Sequence, residues 1–264
     1  MYEIFDSHAH IYPDKIASKA STVIGRFYDI KMDCNGSVEG LLTLGKKAGI
    51  SRFLVHSVAT VPHQVKSINR FILEQTSLHP EFIGFMTLHP DMTVSEIEEE
   101  VDFCLKNGFH GIKLHPDFQK FAINSPEARV IYDVACPYFP ILFHTGDVRY
   151  NYSHPEFLAE IAKDYPSARF IGAHFGGYSC WKQARDAYKG LNNVFFDTSS
   201  SLPFLSPDEA VSLIRDMGSE RFFFGTDYPM WLPDEEIARF IKLDLTETER
   251  ENIFSKNLSS FLNL

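Results

Sequence analysis

Short apolar runs rich in β-branched and aromatic residues recur along the chain, separated by stretches whose apolar positions repeat with helical spacing. The series begins with EIFDSHAH from Glu3, RFLVHSV from Arg52, FIGFMTLHP from Phe82 and GIKLHP from Gly111. PILFHTGD from Pro140, ARFIGAHFGG from Ala168, NVFFDTSSS from Asn193 and RFFFGTDYP from Arg221 continue it. Eight strands are predicted. From the second onward their starts lie about 25 to 30 residues apart, the length of a strand, a loop, a helix and a loop. In TVSEIEEEVDFCLKNG, Val94, Ile97, Val101, Cys104 and Leu105 fall at helical spacing and Gly108 supplies a stop. Ser206, Pro207 and Glu209 give an N-cap, a first-turn proline and a capping-box acid, and Thr246 with Glu249 repeats the box before RENIFSKNLSSFL.

Eight strands alternating with helices, without a Gly-, Ser- or Pro-rich linker, predict a closed (β/α)8 TIM barrel rather than an open doubly wound sheet. Residues 1–264 are read as a single domain. The first gap, from Ile11 to Arg52, is longer than the others at about 40 residues. Its mixture of small, aromatic and charged residues predicts a loop insertion at about 11–51 covering the barrel mouth.

Composition narrows the function classes. At 44% hydrophobic and 23% charged the chain is an ordinary globular one, and disorder is excluded as its basis. The net charge of -10, with no local basic patch, argues against a nucleic-acid partner. Cys34, Cys104, Cys136 and Cys180 show no CxxC spacing, so reduced thiols are expected. Glu3 and Asp6 stand where a signal peptide would be basic, and no apolar run approaches the roughly 20 residues that span a bilayer. A cytoplasmic protein with a small-molecule substrate and no membrane partner is expected, a homodimer being left open.

In a barrel of this kind the chemistry sits at the C-terminal ends of the strands. His8 and His10 end strand one, Lys113 and His115 strand four, His144 strand five, His174 strand six and Asp227 strand eight. Residues i and i+2 of a strand share a face, so the opening HxH either presents two imidazoles to a metal or caps a strand end. His56 and His89, ending strands two and three, are read as packed or capping residues. Seven ionisable groups at strand ends need compensation for buried charge, and a divalent metal supplies it. His8, His10, His144 and Asp227 form a candidate zinc set, with His174 binding a second ion or holding water. A bound metal lowers the pKa of water from about 15.7 to about 7, and Asp227 is positioned to accept the proton.

These motifs resemble the amidohydrolase superfamily. GIKLHPDFQ, PILFHTGD, FIGAHFGG, FFDTSS and FFGTDYP are similar to its amidohydrolase-related branch, which includes aminocarboxymuconate semialdehyde decarboxylase. The resemblance runs from Asp6 to about Asn257. It implies His8, His10, His144 and Asp227 as metal ligands, with Asp227 also shuttling a proton. It further implies His174 as a catalytic residue or second-ion ligand, and Lys113 as a lysine that two-metal members carboxylate to bridge the ions. A cationic Lys113 binding a substrate carboxylate is the alternative. The metal-dependent deoxyribonucleases that share this barrel carry an acidic residue on strand four, where this chain reads GIKLHP.

The expected activity is a metal-dependent hydrolase: activated water attacks an ester, lactone or amide of a small carboxylated substrate. The alternative is a lyase, a non-oxidative decarboxylase or hydratase on the same residues, since fold and ligand set do not fix the reaction. A third reading is a barrel that keeps metal for stability alone. Zinc is the expected metal, one or two ions per chain, with manganese and iron also suited to these donors. His115 and Arg149 are expected to bind substrate. Tyr228 and Trp231 either wall a pocket for a flat substrate or pack on the next helix.

Overall fold

Parallel strands buried on both faces read as near-continuous apolar runs, and the eight predicted runs all form strands. A computed structural model describes residues 2–264. The chain order is β1 (Ile4–His10), α1 (Asp14–Tyr28), α2 (Val38–Ala48), β2 (Ile50–His56), α3 (Val65–Leu78), β3 (Phe82–Met86) and α4 (Val94–Lys106). It continues with β4 (Gly111–Leu114), α5 (Pro116–Gln119), α6 (Pro126–Ala135), β5 (Ile141–Phe143), α7 (Pro155–Asp164), β6 (Phe170–Gly172) and α8 (Trp181–Ala187). The remainder is β7 (Val194–Asp197), α9 (Pro207–Met217), β8 (Phe222–Phe223), α10 (Pro233–Ile241), α11 (Glu247–Glu251), a π turn over Asn252–Lys256, and α12 (Asn257–Leu262). The strands form one sheet in the order β1 to β8. Ser7 N–H donates to Phe224 O at 2.8 Å and Ala9 bridges Tyr228 in parallel, bonding the last strand back to the first. This is the (β/α)8 TIM-barrel fold.

Residue contacts divide the chain into a terminal unit, Met1–His56 with Thr198–Leu264, and a central unit, Ser57–Asp197. In the terminal unit, the step from Asp6 to Ala9 on β1 faces the shorter step from Phe53 to Val55 on β2, a bulge immediately around His8. Phe224, Phe240 and Phe254 pack with ring centroids 4.7–5.6 Å apart, and Phe224 N–H donates to Ile253 O in the π turn, which anchors the end of β8. In the central unit, β3 to β7 pair in parallel and Tyr132 meets Phe143 and Phe170 edge-on.

The loop expected over about 11–51 contains two helices instead. Their buried positions are Ala17, Ser21 and Gly25 on α1 and Leu41 and Gly45 on α2. Apart from Leu41 these are small residues, which leave room for neighbouring side chains to come close: a Cβ on Gly45 would sit 2.3 Å from the Phe53 ring. The capping boxes at Thr93, Ser206 and Thr246 are all formed. Helix α4 buries Ile97, Glu100, Val101 and Cys104, whereas Val94 and Leu105, expected on that face, are exposed. Among the described residues no helix is long and apolar enough to cross a membrane.

Candidate metal centre

At the end of β1 the Asp6 carboxylate accepts from Thr226 N–H at 2.9 Å, Thr226 Oγ1 at 2.6 Å and His8 N–H at 3.0 Å. It thereby ties β1 to the segment that carries Asp227, and Asp227 N–H donates to His8 O at 2.9 Å. His8 Nε2 and His10 Nε2 each lie 3.5 Å from the same oxygen of Asp227. Two donors bound at 2.0–2.2 Å to one tetrahedral ion stand about 3.3–3.6 Å apart, so each of these two histidine–Asp227 spacings is compatible with a shared ion. Ser199 Oγ lies 3.2 Å from His8 Nδ1, engaging the far ring nitrogen as outer partners of metal-binding histidines do. The second Asp227 oxygen accepts from Ser200 Oγ at 2.5 Å. The donor set, two imidazoles and a carboxylate, suits a divalent metal.

His56, read from sequence as a packing residue, belongs to this group. Its buried ring stands edge-on to both His8 and His10, with centroids 4.9 and 4.4 Å away, and one nitrogen of each of the three lies within 4.8 Å of the others. Its position at the C-terminal end of β2 was the available signal. His89 does cap: its Nδ1 accepts from Asp91 N–H at 3.2 Å, and burial lowers its pKa. Tyr12 stacks along His10, and burial, with the Asp227 charge, raises its phenol well above the ordinary value. Of the two aromatics expected near the site, Tyr228 is buried and donates to Ser37 O at 2.9 Å, and Trp231 donates to Ser200 Oγ at 2.9 Å.

The central unit holds the other candidates. His144 Nδ1 and His174 Nε2 are 3.0 Å apart, close enough to share a proton. His174 has a left-handed backbone, φ 61, fixed by its N–H donating to Asp197 Oδ1 at 3.0 Å. His115 is stacked between Phe118 and His144, with centroids 3.9 and 4.1 Å away, and its Nδ1 accepts from Phe118 N–H. The side chain expected to bind substrate therefore caps α5 and supports His144. Lys113 is fully buried on β4.

Two acids in this unit escaped the sequence reading. Asp117 opens α5 and its carboxyl has no exposed surface; His144 Nε2 lies 3.8 Å from it. Neither oxygen meets hydrogen-bond geometry, although the Ser153 hydroxyl is near enough to temper the charge. Burial above all pushes its pKa up to about 7, and Asp147 adds to the rise. Asp147 accepts two bonds from the Arg149 guanidinium, at 2.9 and 2.6 Å, and one from Arg149 N–H at 3.0 Å, so the guanidinium expected to clamp a substrate carboxylate holds a protein one in this structure.

Solved structures share the fold at low identity. An uncharacterised TIM-barrel protein from Bordetella bronchiseptica superposes with a TM-score of 0.81 at 16% identity, covering 99% of this chain and 98% of its own. 5-Carboxyvanillate decarboxylase from Sphingomonas paucimobilis gives 0.76 at 12% identity, each chain covered completely. Dihydroxybenzoic acid decarboxylase from Polaromonas sp. JS666, with bound manganese and the inhibitor 2-nitroresorcinol, gives 0.77 at 15%, with 100% and 98% covered. No curated protein matches the sequence. The sequence profile described as Amidohydrolase matches residues 5–258. That match runs through nearly every strand and helix described above, and the chain belongs to the amidohydrolase family of enzymes.

Proposed function

We propose that this protein is a metal-dependent, non-oxidative decarboxylase of a small, flat, carboxylated substrate. The observation that carries the reading is the convergence of His8 Nε2 and His10 Nε2 on one Asp227 oxygen. The full-length likeness to two decarboxylases, one with manganese, supports a lyase over the hydrolase expected from sequence alone. His8, His10 and Asp227 are the proposed ligands on this geometry. His144 and Lys113 stay proposed ligands on their strand-end positions alone, and metal stoichiometry tests them. A divalent ion, manganese or zinc, supplies a Lewis acid for a substrate oxygen when bound.

The chain's own groups then have defined tasks. Decarboxylation without oxidation needs a proton delivered to the carbon that bears the carboxylate. A C–H bond forms there from the ring's π electrons, the C–C bond breaks, its electron pair returns to the ring, and carbon dioxide leaves. One proton is taken up from water per turnover. The His144 and His174 pair, 3.0 Å apart, is the proposed proton carrier, since a proton held between two imidazoles moves with little rearrangement. Asp227, whose second oxygen accepts from Ser200, is the alternative donor once it has itself taken up a proton.

The sign of the proton balance separates the two reactions. Manganese- or zinc-loaded protein is given a panel of hydroxybenzoates, lactones and esters in a weakly acidic pH-stat, swept with inert gas so that carbon dioxide leaves before it hydrates to bicarbonate and returns the proton. Decarboxylation then takes up acid and evolves carbon dioxide, whereas ester or lactone hydrolysis releases acid. Uptake with carbon dioxide, abolished by chelation, is the expected result. Acid release with a new carboxylate product overturns the lyase reading in favour of the hydrolase.

A further inference from the structure

We infer that Ser200 and Trp231 form a positioning relay that decides which oxygen Asp227 presents, an inference that rests on the metal seat proposed above. Both residues belong to the terminal unit, as Asp227 does. The run Thr198-Ser199-Ser200 after β7 is buried throughout, and its hydroxyls serve three parts of one site. Thr198 Oγ1 accepts from Gly225 N–H at 3.1 Å, Ser199 meets His8 Nδ1, and Ser200 donates to Asp227 Oδ2.

The carboxylate is thereby divided. Oδ1 faces His8 and His10, and Oδ2 is committed to Ser200 at 2.5 Å, a short bond to an ionised acceptor. Ser200 has a single proton with a competing acceptor, Met230 Sδ, at 3.4 Å. Trp231 Nε1–H donates to Ser200 Oγ at 2.9 Å, occupying a lone pair and fixing the hydroxyl rotor toward Asp227. The indole is itself clamped, with Phe204 edge-on at 6.0 Å and the Arg239 guanidinium 5.6 Å from the ring. Ser200 and Asp227 both hold left-handed backbones, φ 50 and φ 59, a conformation that non-glycine residues adopt where the surroundings enforce it.

The experiment compares wild type, Ser200→Ala, Ser200→Gly and Trp231→Phe after chelation, measuring Mn2+ binding by titration calorimetry or EPR and the thermal midpoint of each metal-free protein. Both Ser200 variants are expected to bind Mn2+ about 10- to 100-fold more weakly, the range for outer partners of metal ligands. Trp231→Phe, which keeps the ring and removes the donor, is expected to lose about three- to tenfold. Glycine accepts φ 50 without strain, which offsets part of the stability lost with the hydroxyl, so Ser200→Gly is expected to have a higher metal-free midpoint than Ser200→Ala while both lose the same Mn2+ affinity. A purely structural serine would show affinity recovering with the midpoint in the glycine variant, and this result overturns the relay. Wild-type affinity in both Ser200 variants overturns it as well, with the metal reading left standing. Wild-type protein that binds no Mn2+ or Zn2+ overturns the metal reading and the relay that depends on it.

Discussion

Replacing Glu236 by glutamine isolates the penalty for ionising a buried carboxyl beside the site. The Glu236 side chain, on α10, has no exposed surface. One oxygen accepts from Arg239 Nη1 at 2.5 Å and the other has no hydrogen-bond partner. Burial is the main reason its pKa rises from the ordinary 4.5 to about 7; Arg239 opposes the rise, and Asp227 and Asp6 add to it. Because the folded-state pKa lies above the unfolded one, the folded protein holds more protons between those two values. The stability contributed by this group is therefore complete below about pH 4.5 and declines as pH rises to about 7. At about 1.4 kcal/mol per pKa unit, the decline is on the order of 3 kcal/mol. Glutamine keeps an oxygen for Arg239 and does not ionise. In urea denaturation of metal-free protein followed by far-UV circular dichroism, Glu236→Gln should match wild type near pH 4.5 and exceed it by on the order of 3 kcal/mol at pH 8. Stability curves running parallel across that range, or a less stable variant at pH 8, would refute the argument that burial outweighs the Arg239 pair.

Asp227→Asn and His10→Ala should each weaken Mn2+ or Zn2+ binding by more than about 100-fold, beyond the effect of an outer partner, in competition titrations with a chromogenic chelator. Chelating the wild-type protein should abolish turnover and lower the thermal midpoint while the far-UV spectrum persists; a spectrum lost with the metal would favour a purely structural ion. Gly146→Ala should destabilise by about 2 kcal/mol or more in urea denaturation, since φ is 76 and the added Cβ would lie 2.4 Å from Tyr178 N, a backbone atom that cannot swing away. Thr93→Ala, which removes a capping box from an exposed helix start, should lose only about 1 kcal/mol and leave activity unchanged.

The strands were legible because most of their positions are buried and apolar, so that His8, His10, His144, His174 and Asp227 stand out at or just beyond their ends. The capping boxes at Ser206 and Thr246 were legible because their hydrogen bonds are local, while the one at Thr93 was not read from the sequence. Helix α1 was not, since its buried positions are Ala17, Ser21 and Gly25, small residues whose contribution is close approach rather than apolar surface. On α4 the apolar pattern pointed to the wrong edge of the stripe. Glu100 takes a core position, held by Asn69 and Arg70, and rotates Val94 and Leu105 outward. His56 was passed over because its relevance depends on the pairing of β2 with β1, and the bulge around His8 sets that pairing. Asp117 and Ser200 act through distant partners, which spacing along the chain does not encode.

The left-handed residues at the strand ends restrict how this protein can change. His174, Ser200 and Asp227 each occupy a backbone conformation that only glycine, asparagine, aspartate and histidine enter readily. A mutation toward valine, threonine or isoleucine at these points fails for steric reasons before its chemistry is ever sampled. Evolution toward a new substrate is thereby channelled away from these three points, and equally from Phe175 and Ser179 with φ 56 each, toward loop positions of ordinary backbone conformation.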